Sequence, residues 1–359
     1  MRKPALSIAA AFFAAFCCAA IAAAQPIGAG VRLASPTIVN HAPTLAALAS
    51  KTLLLCWYGG RAEANRDVSI FCTASADSGA SWSAPRVAVK PRETAAGVRG
   101  VTKSLGNPTL FQEHGGRVWL IYGLVQARPK SLINLCRSWR CGRIDAKYSD
   151  DDGATWSAPQ RLVDQAGALP RARPLATANG ALLPLYLERA QTSFLADATI
   201  RDGVIQIAPG APMIGPNLIQ PSIVPADATH VRAYFRDRRG RHIYTALYDV
   251  PAQRWGAPTP LALPNPDSAV EAVRRADGAI ALIYNPETNN RRALALALSA
   301  DGLAFPHLCT IVDGAGDVAY PSALFAPNGD LLIAFSAHGK REIRFLRLSR
   351  AAQAQCFAG

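Results

Sequence analysis

The stretch Asp145 to Pro159 decides how this chain is read, and its centre is Ser149-Asp150-Asp151-Asp152-Gly153-Ala154-Thr155-Trp156 followed by Ser157-Ala158-Pro159. A β-type run leads into it, Asp and Gly supply a tight turn, and the Trp is placed to pack back over that turn. The pattern recurs as Ser75-Ala76-Asp77-Ser78-Gly79-Ala80-Ser81-Trp82-Ser83-Ala84-Pro85. A copy one residue shorter, Ser299-Ala300-Asp301-Gly302-Leu303-Ala304-Phe305, has Phe for Trp, and Trp255-Gly256-Ala257-Pro258 keeps only the end. Recurrence of one turn in this way signals a supersecondary unit used several times over.

The apolar runs around these turns repeat as well. Lys51–Tyr58, Gly116–Tyr122, Gly180–Leu187, Thr229–Phe235, Gly278–Tyr284 and Gly329–Phe335 share one look, and most open on a Gly-containing turn such as Asn179-Gly180 or Asp277-Gly278. Such dipeptides are hairpin signals. A shorter run precedes each, often opening with Pro, as in Pro43-Thr44-Leu45, Pro108-Thr109-Leu110, Pro174-Leu175, Pro221-Ser222-Ile223 and Pro321-Ser322-Ala323. A third β-like run follows, for example Val68–Ala74 or Ile343–Leu348.

The unit is therefore a small antiparallel sheet, repeated six times at intervals of roughly 50–65 residues. One such sheet cannot bury both of its faces, whereas a ring of six can. The fold class expected is all-β, a six-bladed β-propeller of four-stranded antiparallel sheets, with two stacked sandwiches as the alternative. No sustained 3.6-residue periodicity argues for helices outside the N-terminus. Val31–Val39 is expected to complete the last blade and close the ring, which removes an exposed sheet edge.

Half of the 359 residues are hydrophobic, ample for a large core. Residues 1–24 are set apart: Arg2 and Lys3, the apolar run Ala5 to Ile21, then Ala22-Ala23-Ala24. This reads as a secretory signal peptide, which assigns 25–359 to a single propeller domain and implies a periplasmic or secreted protein. No other stretch is long and apolar enough to span a bilayer. Removal of the leader lowers the formal net charge of +13 by two, to +11. A basic exported surface favours acidic partners such as anionic glycans, and no nucleic-acid motif is present. The oligomeric state stays open.

Six of the eight cysteines lie beyond the leader: Cys56, Cys72, Cys136, Cys141, Cys309 and Cys356. An even number in an exported chain suggests disulfides. Cys136–Cys141 would close a short loop, and Cys309–Cys356 would pin the C-terminal tail. Cys56 and Cys72 lie in neighbouring runs and would either pair or simply be buried. No Cys/His spacing fits a zinc site, and no cofactor is expected.

In a propeller the innermost strand of each blade starts at the axis. The residues just ahead of the Pro-opened runs should therefore point into a central pocket: His41 or Ala42, Asn107, Arg173, Gln220, Glu271 and Tyr320. The recurrent turn, S-x-D-x-G-x-x-W, is the Asp box, and the chain resembles the sialidase (neuraminidase) superfamily. The boxes lie on outer turns and carry no chemistry; Asp77 and Asp151 are expected to bond turn amides, and Trp82 and Trp156 to fill the blade interior.

The resemblance implies a glycoside hydrolase that removes a terminal acidic sugar, with three arginines on the sugar carboxylate, an Asp acid/base and a Tyr nucleophile activated by a Glu. A phenol suits an anomeric centre bearing a carboxylate, where an anionic carboxylate nucleophile would be repelled. Asp317-Val318-Ala319-Tyr320-Pro321-Ser322 resembles the nucleophile motif. Gly60-Arg61-Ala62-Glu63-Ala64-Asn65-Arg66-Asp67 resembles the acid/base loop, with Asp67 as the acid and Arg61 as a substrate contact. Arg236 and Arg291 resemble the second and third arginines, Arg292 being the neighbouring alternative to Arg291, and Arg173 would assist them.

The departures are that His41 stands where the first arginine belongs, Ser336 where its acidic partner belongs, and Gln220 where the usual glutamate belongs. Glu271 would supply the missing carboxylate to Tyr320. Since His is charged only at mildly acidic pH, affinity for an acidic sugar is expected to rise as pH falls toward 5. A glycan-binding propeller without activity, and a hydrolase or lyase acting on uronic-acid polysaccharide, are the rival functions.

Overall fold

A computed structural model describes residues 28–127, 138–213, 215 and 217–358. Six antiparallel sheets follow one another along the chain. Their second strands are Leu53–Gly60, Val118–Ala127, Gly180–Leu187, His230–Asp237, Ile280–Tyr284 and Leu331–Ala337, the six apolar runs singled out above. Each is flanked by an inner strand before it and a third strand after it, and the sheets form a six-bladed β-propeller. We number the blades I to VI from the N-terminus. Val31–Arg32 pairs with Glu342–Leu348, so the N-terminal segment supplies the outer strand of blade VI and closes the ring.

The repeated tripeptide at the inner strands has a structural purpose. It reads Ala42-Pro43-Thr44 in blade I, Asn107-Pro108-Thr109 in II, Gln220-Pro221-Ser222 in IV and Tyr320-Pro321-Ser322 in VI. Each hydroxyl bonds backbone at the axial edge of the next blade. Thr44 Oγ1 accepts from Leu110 N–H at 3.2 Å, Ser222 Oγ from Ala272 N–H at 2.9 Å and Ser322 Oγ from Leu45 N–H at 3.1 Å. Thr109 Oγ1 donates to the Ala172 carbonyl at 3.0 Å. Backbone groups at the axis that have no strand partner are thereby satisfied, and the blades are joined at the centre.

The Asp boxes join the blades at the outside. In blade I, Asp77 Oδ1 accepts from Ser81 N–H at 2.9 Å, and Ser75 Oγ accepts from Gly79 N–H at 2.8 Å. Asp151 and Ser149 repeat this in blade II, and Asp301 and Ser299 in blade V. The aspartates cap turn amides as expected. The tryptophans correct the expectation, because they sit at seams between blades. Trp82 meets Phe345 of blade VI with ring centroids 5.0 Å apart, and Trp156 packs in the cluster shared by blades I and II. The short third copy does the same through its backbone: Tyr234 of blade IV donates to the Gly302 carbonyl at 2.9 Å.

Cys56 and Cys72 face each other across adjacent strands of blade I and form a disulfide. Cys309–Cys356 fastens a C-terminal helix, Arg350–Ala358, to the outer strand of blade V. The sequence pattern missed this helix because nine residues span too few turns to show a periodicity. Its Ala-rich composition and its disulfide supply what the pattern lacks. Cys141 is disulfide-bonded; Cys136, its expected partner, and the leader 1–24 lie outside the described residues. No helix among the described residues is long and apolar enough to cross a membrane.

Candidate active site

Four inner strands break their pairing register at the same place: between His41 and Thr44, Gly106 and Thr109, Ile219 and Ser222, and Ala319 and Ser322. At each break the residue before the proline has a left-handed backbone, with φ of 53° at Ala42, 45° at Asn107, 54° at Gln220 and 57° at Tyr320. Proline disfavours helical backbone angles in the residue before it, and an L-residue at positive φ carries strain of order 1–3 kcal/mol. A bulge of this kind re-aims a side chain. Here it turns Asn107, Gln220 and Tyr320 toward one pocket, and in blade I it brings in the preceding residue, His41.

Tyr320 lies at the centre. Its hydroxyl accepts from Arg236 Nη1 at 2.8 Å and from Gln220 Nε2 at 3.4 Å. Gln220 Oε1 accepts from the same Arg236 nitrogen at 3.0 Å, which fixes the orientation of the amide. Asn107 Nδ2 donates to the Tyr186 hydroxyl at 3.1 Å, and that hydroxyl also meets Gln220. Arg236 is buried, with Nε on Asp267 Oδ1 at 2.6 Å. Arg291 donates to the backbone carbonyl of the same Asp267, and Arg238 reaches its other carboxylate oxygen at 3.2 Å. Of the two adjacent arginines, Arg291 is partly buried here, whereas Arg292 is exposed.

His41 is 2 % exposed and its Nδ1 lies 2.8 Å from Ser336 Oγ, so the two departures from the family pattern are direct neighbours. Its ring centroid is 4.3 Å from that of Tyr320. Burial, then the charges of Lys340, Arg171, Arg291 and Arg236, hold its pKa well below the ordinary 6.5. This overturns the expectation that His41 becomes charged near pH 5: in the free site it is a neutral hydrogen-bonding group.

Two further expectations are corrected. Glu271 is buried in blade V, but its carboxylate accepts from Ser222 Oγ at 3.4 Å and Ala323 N–H at 3.5 Å, and no hydrogen bond joins it to Tyr320. It occupies the joining role that Ser and Thr play on other blades, and burial raises its pKa. Arg173 is also away from the tyrosine; it lines a separate cavity of about 150 Å³ with Ser222 and Glu271. The inner strand of blade III is split into Ala168–Pro170 and Leu175–Thr177, so the position before Pro174 is not equivalent to the others. Arg171, in the gap, takes the place instead. It is 3 % exposed, its guanidinium carbon is 4.9 Å from the Tyr320 ring centroid, and Nη2 donates to the Pro321 carbonyl at 2.9 Å.

The loop Arg61 to Asp67 follows the second strand of blade I. Asp67 Oδ2 accepts from Arg61 N–H at 3.1 Å, and its Oδ1 is buried without a partner. The Arg61 side chain is exposed. Glu63, between them, was not singled out from the sequence. It accepts from Trp139 Nε1 of blade II at 3.2 Å and pairs with Lys340 of blade VI at 2.5 Å. Burial, with Glu63 beside it, raises the pKa of the Tyr58 phenol, whose ring lies 5.6 Å from that of His41. The signal for Glu63 was only its place in a loop already suspected.

Burial opposes ionisation of Tyr320 itself. Arg236, the Gln220 amide, Arg291 and Arg171 outweigh it and draw the phenol below its ordinary value of 10.0. The fold and site together define a propeller with a tyrosine at its axis surrounded by arginines. Residues 51–333 match the BNR repeat-like domain, and the chain belongs to that family, within the sialidase superfamily. Solved structures of similar fold include the Hadza microbial sialidase Hz136, with a TM-score of 0.71 at 17 % identity over 90 % of this chain and 68 % of that one. The leech intramolecular trans-sialidase, solved with 2,7-anhydro-Neu5Ac, gives 0.73 at 13 % identity over 92 % of this chain and 71 % of that one. The intramolecular trans-sialidase from Ruminococcus gnavus gives 0.71 at 13 % over 90 % and 97 %. At these identities the likeness is one of fold. No curated protein matches this chain in sequence.

Proposed function

We propose that the protein is an exported glycoside hydrolase of the exo-α-sialidase type, removing a terminal acidic sugar from a glycan. The observation that carries this reading is the Arg236 guanidinium on the Tyr320 hydroxyl at 2.8 Å, with Arg291 beside it on Asp267. A carboxylate on the anomeric carbon would be held by the two arginines as the carbon meets the tyrosine oxygen. In the first step the Tyr320 oxygen, as the phenolate, bonds to that carbon, the glycosidic carbon–oxygen bond breaks, and Asp67 gives its proton to the leaving oxygen. In the second, water yields a proton to Asp67 and bonds to the carbon as the tyrosine oxygen leaves. Arg61, His41, Asn107 and Gln220 would line the sugar site. The disulfides between strands of blade I and at the C-terminal helix suit an oxidising compartment.

A second reading, a glycan-binding propeller without turnover, draws on the amide of Gln220 and the neutral His41. A panel of fluorogenic sialosides and uronosides separates the two. The hydrolase reading expects release from an acidic sugar, with loss of about 10³-fold or more in Tyr320→Phe. Binding of acidic sugars without release from any member of the panel would overturn it in favour of the second.

A further inference from the structure

The Tyr320 oxygen is surrounded by donors. Arg236 Nη1 and Gln220 Nε2 both point hydrogens at it, and Gln220 cannot turn its acceptor inward because Oε1 is already bound to Arg236. No acceptor for a phenolic hydrogen is bonded to it among the described residues. A neutral phenol here finds no acceptor for its hydrogen on the protein among the described residues, whereas a phenolate satisfies both contacts. In the family pattern a glutamate removes that hydrogen; Gln220 has no charge to do so, and Glu271 is engaged with Ser222 and Ala323.

Positive charge arrives instead from blade III. The Arg171 guanidinium lies over the Tyr320 ring, buried, tied to the Pro321 carbonyl beside it, and with Nε lacking a partner. We propose that Arg171 is a positioning residue that, with Arg236, holds Tyr320 as a phenolate in the resting protein, replacing a general base with standing positive charge. Blade by blade, the groups facing the phenol agree. Arg236 and Gln220 come from blade IV, Arg291 from V, the neutral His41 and the protonated Tyr58 from I, and the protonated Tyr186 from III. Glu271 from blade V tempers Arg171 without cancelling it, since burial favours the neutral carboxylic acid, while Arg171 keeps its charge because an arginine starts from 12.5 even where burial lowers it. Attack by Tyr320 then requires no proton transfer, which suits a site whose carboxylate has become an amide.

The proposal deepens the reading of Tyr320 as the reacting group, and its test needs no substrate. Tyrosinate absorbance near the ultraviolet edge is followed against pH in the unliganded protein, with Tyr320→Phe subtracted. One tyrosine should already be ionised at neutral pH, its midpoint lying below about 7 where an ordinary phenol titrates near 10. Arg171→Met should move that midpoint up by about one pH unit or more, and Arg171→Lys should recover most of the shift. A midpoint above about 7 in the unsubstituted protein, which would leave Tyr320 a neutral phenol at rest, overturns the proposal whatever the variants do. So does an unmoved midpoint in folded Arg171→Met, or, if Met does not fold, equal midpoints for Arg171→Lys and Arg171→Gln. Failure to find a hydrolysed sugar would leave this titration untouched, so the two readings fail separately.

Discussion

The pocket has two unlike walls. On the blade IV and V side, Arg236 and Arg291 are gathered by one residue, Asp267, through its carboxylate and its carbonyl. On the blade I and VI side, His41 meets Ser336, and neither carries charge. The inner strands beneath both walls are alike, with a pre-proline bulge at Ala42, Gln220 and Tyr320, and Arg236 and Ser336 each stand on the second strand of a blade. The contrast teaches that the propeller supplies positions while the side chains set the electrostatics, and that each wall changes as a unit. A lone arginine at position 41 would be a buried charge facing a hydroxyl, which is costly; loss of arginine and acid together is not.

The largest expected effect breaks the charged wall. Arg236→Ala removes the guanidinium that touches Tyr320, Gln220 and Asp267. Charge-assisted hydrogen bonds contribute about 1.5–3 kcal/mol each, so affinity for an acidic sugar should fall about 100-fold, and that of a neutral analogue little. Arg291→Ala should act in the same direction but less, since Arg291 is less buried. Calorimetric titration of both ligands checks this, and equal losses for acidic and neutral sugars would mean that the wall only shapes the pocket.

The next largest converts the neutral wall into a charged one. His41→Arg alone should destabilise the protein by about 3 kcal/mol, because the new charge is buried without a partner. Adding Ser336→Asp should recover about 2 kcal/mol of that, a coupling of the size seen between contacting residues. Denaturant unfolding of the two single variants and the double variant measures it. Strict additivity would show that the two side chains are neighbours without being a functional pair.

A third, smaller effect comes from the protonation of His41. Its folded pKa lies well below 6.5, the reverse of a histidine that gains an acidic partner. The unfolded chain takes up a proton below about pH 6.5 and the folded chain does not, so stability must fall as pH drops through that range. Between pH 6.5 and 5 the loss from this group is about 2 kcal/mol at most. His41→Asn should remove that slope, and acidic-sugar affinity should stay nearly flat over the same range. An affinity that climbs toward pH 5 would mean that the bound anion recharges the histidine.

Much of the architecture was legible because turn chemistry repeats. Asn-Gly, Asp-Gly and the box itself punctuate the chain, and the six apolar runs became the six second strands. The axial positions were legible wherever a proline marked the bulge: Asn107, Gln220 and Tyr320 meet as the repeat implied. Blade III broke the rule. Its inner strand is interrupted, so counting back from Pro174 led to Arg173 when the side chain on the tyrosine is Arg171. Glu271 misled for a related reason. Without a proline its blade has no bulge, and a carboxylate there bonds the neighbouring strand. Asp267 was invisible, since Asn265-Pro266-Asp267 reads only as a turn and its three arginines come from distant sequence positions. Local chemistry repeats along a chain, whereas charge pairing across an axis does not.

The smallest expected effect lies at the rim, where the comparison between wall and wall gives way to one between rim and axis. Asp77 is exposed and accepts from Ser81 N–H at 2.9 Å, Ser81 Oγ at 2.5 Å and Ser75 Oγ at 2.8 Å. The Ser81 hydroxyl and amide, with Ser75, hold its pKa down to about 2. A depressed carboxylate contributes stability that is present above its unfolded value near 3.9 and is lost as pH falls toward 2. Asp77→Asn keeps a carbonyl acceptor at Oδ1 for two of the three donors and loses the one for the Ser81 hydroxyl, so the melting temperature near neutrality should drop by no more than about 3 °C. The gap between the variant and the unsubstituted protein should narrow as pH is lowered from 4 toward 2, because Asp77 itself then becomes a neutral acid. Sugar affinity should not change, since the turn touches blade VI through Gly79 and Phe345 and nothing at the axis. A melting gap that persists unchanged at pH 2 would assign the effect to shape, and a change in sugar affinity would mean that rim and axis are coupled through the seam that Trp82 fills.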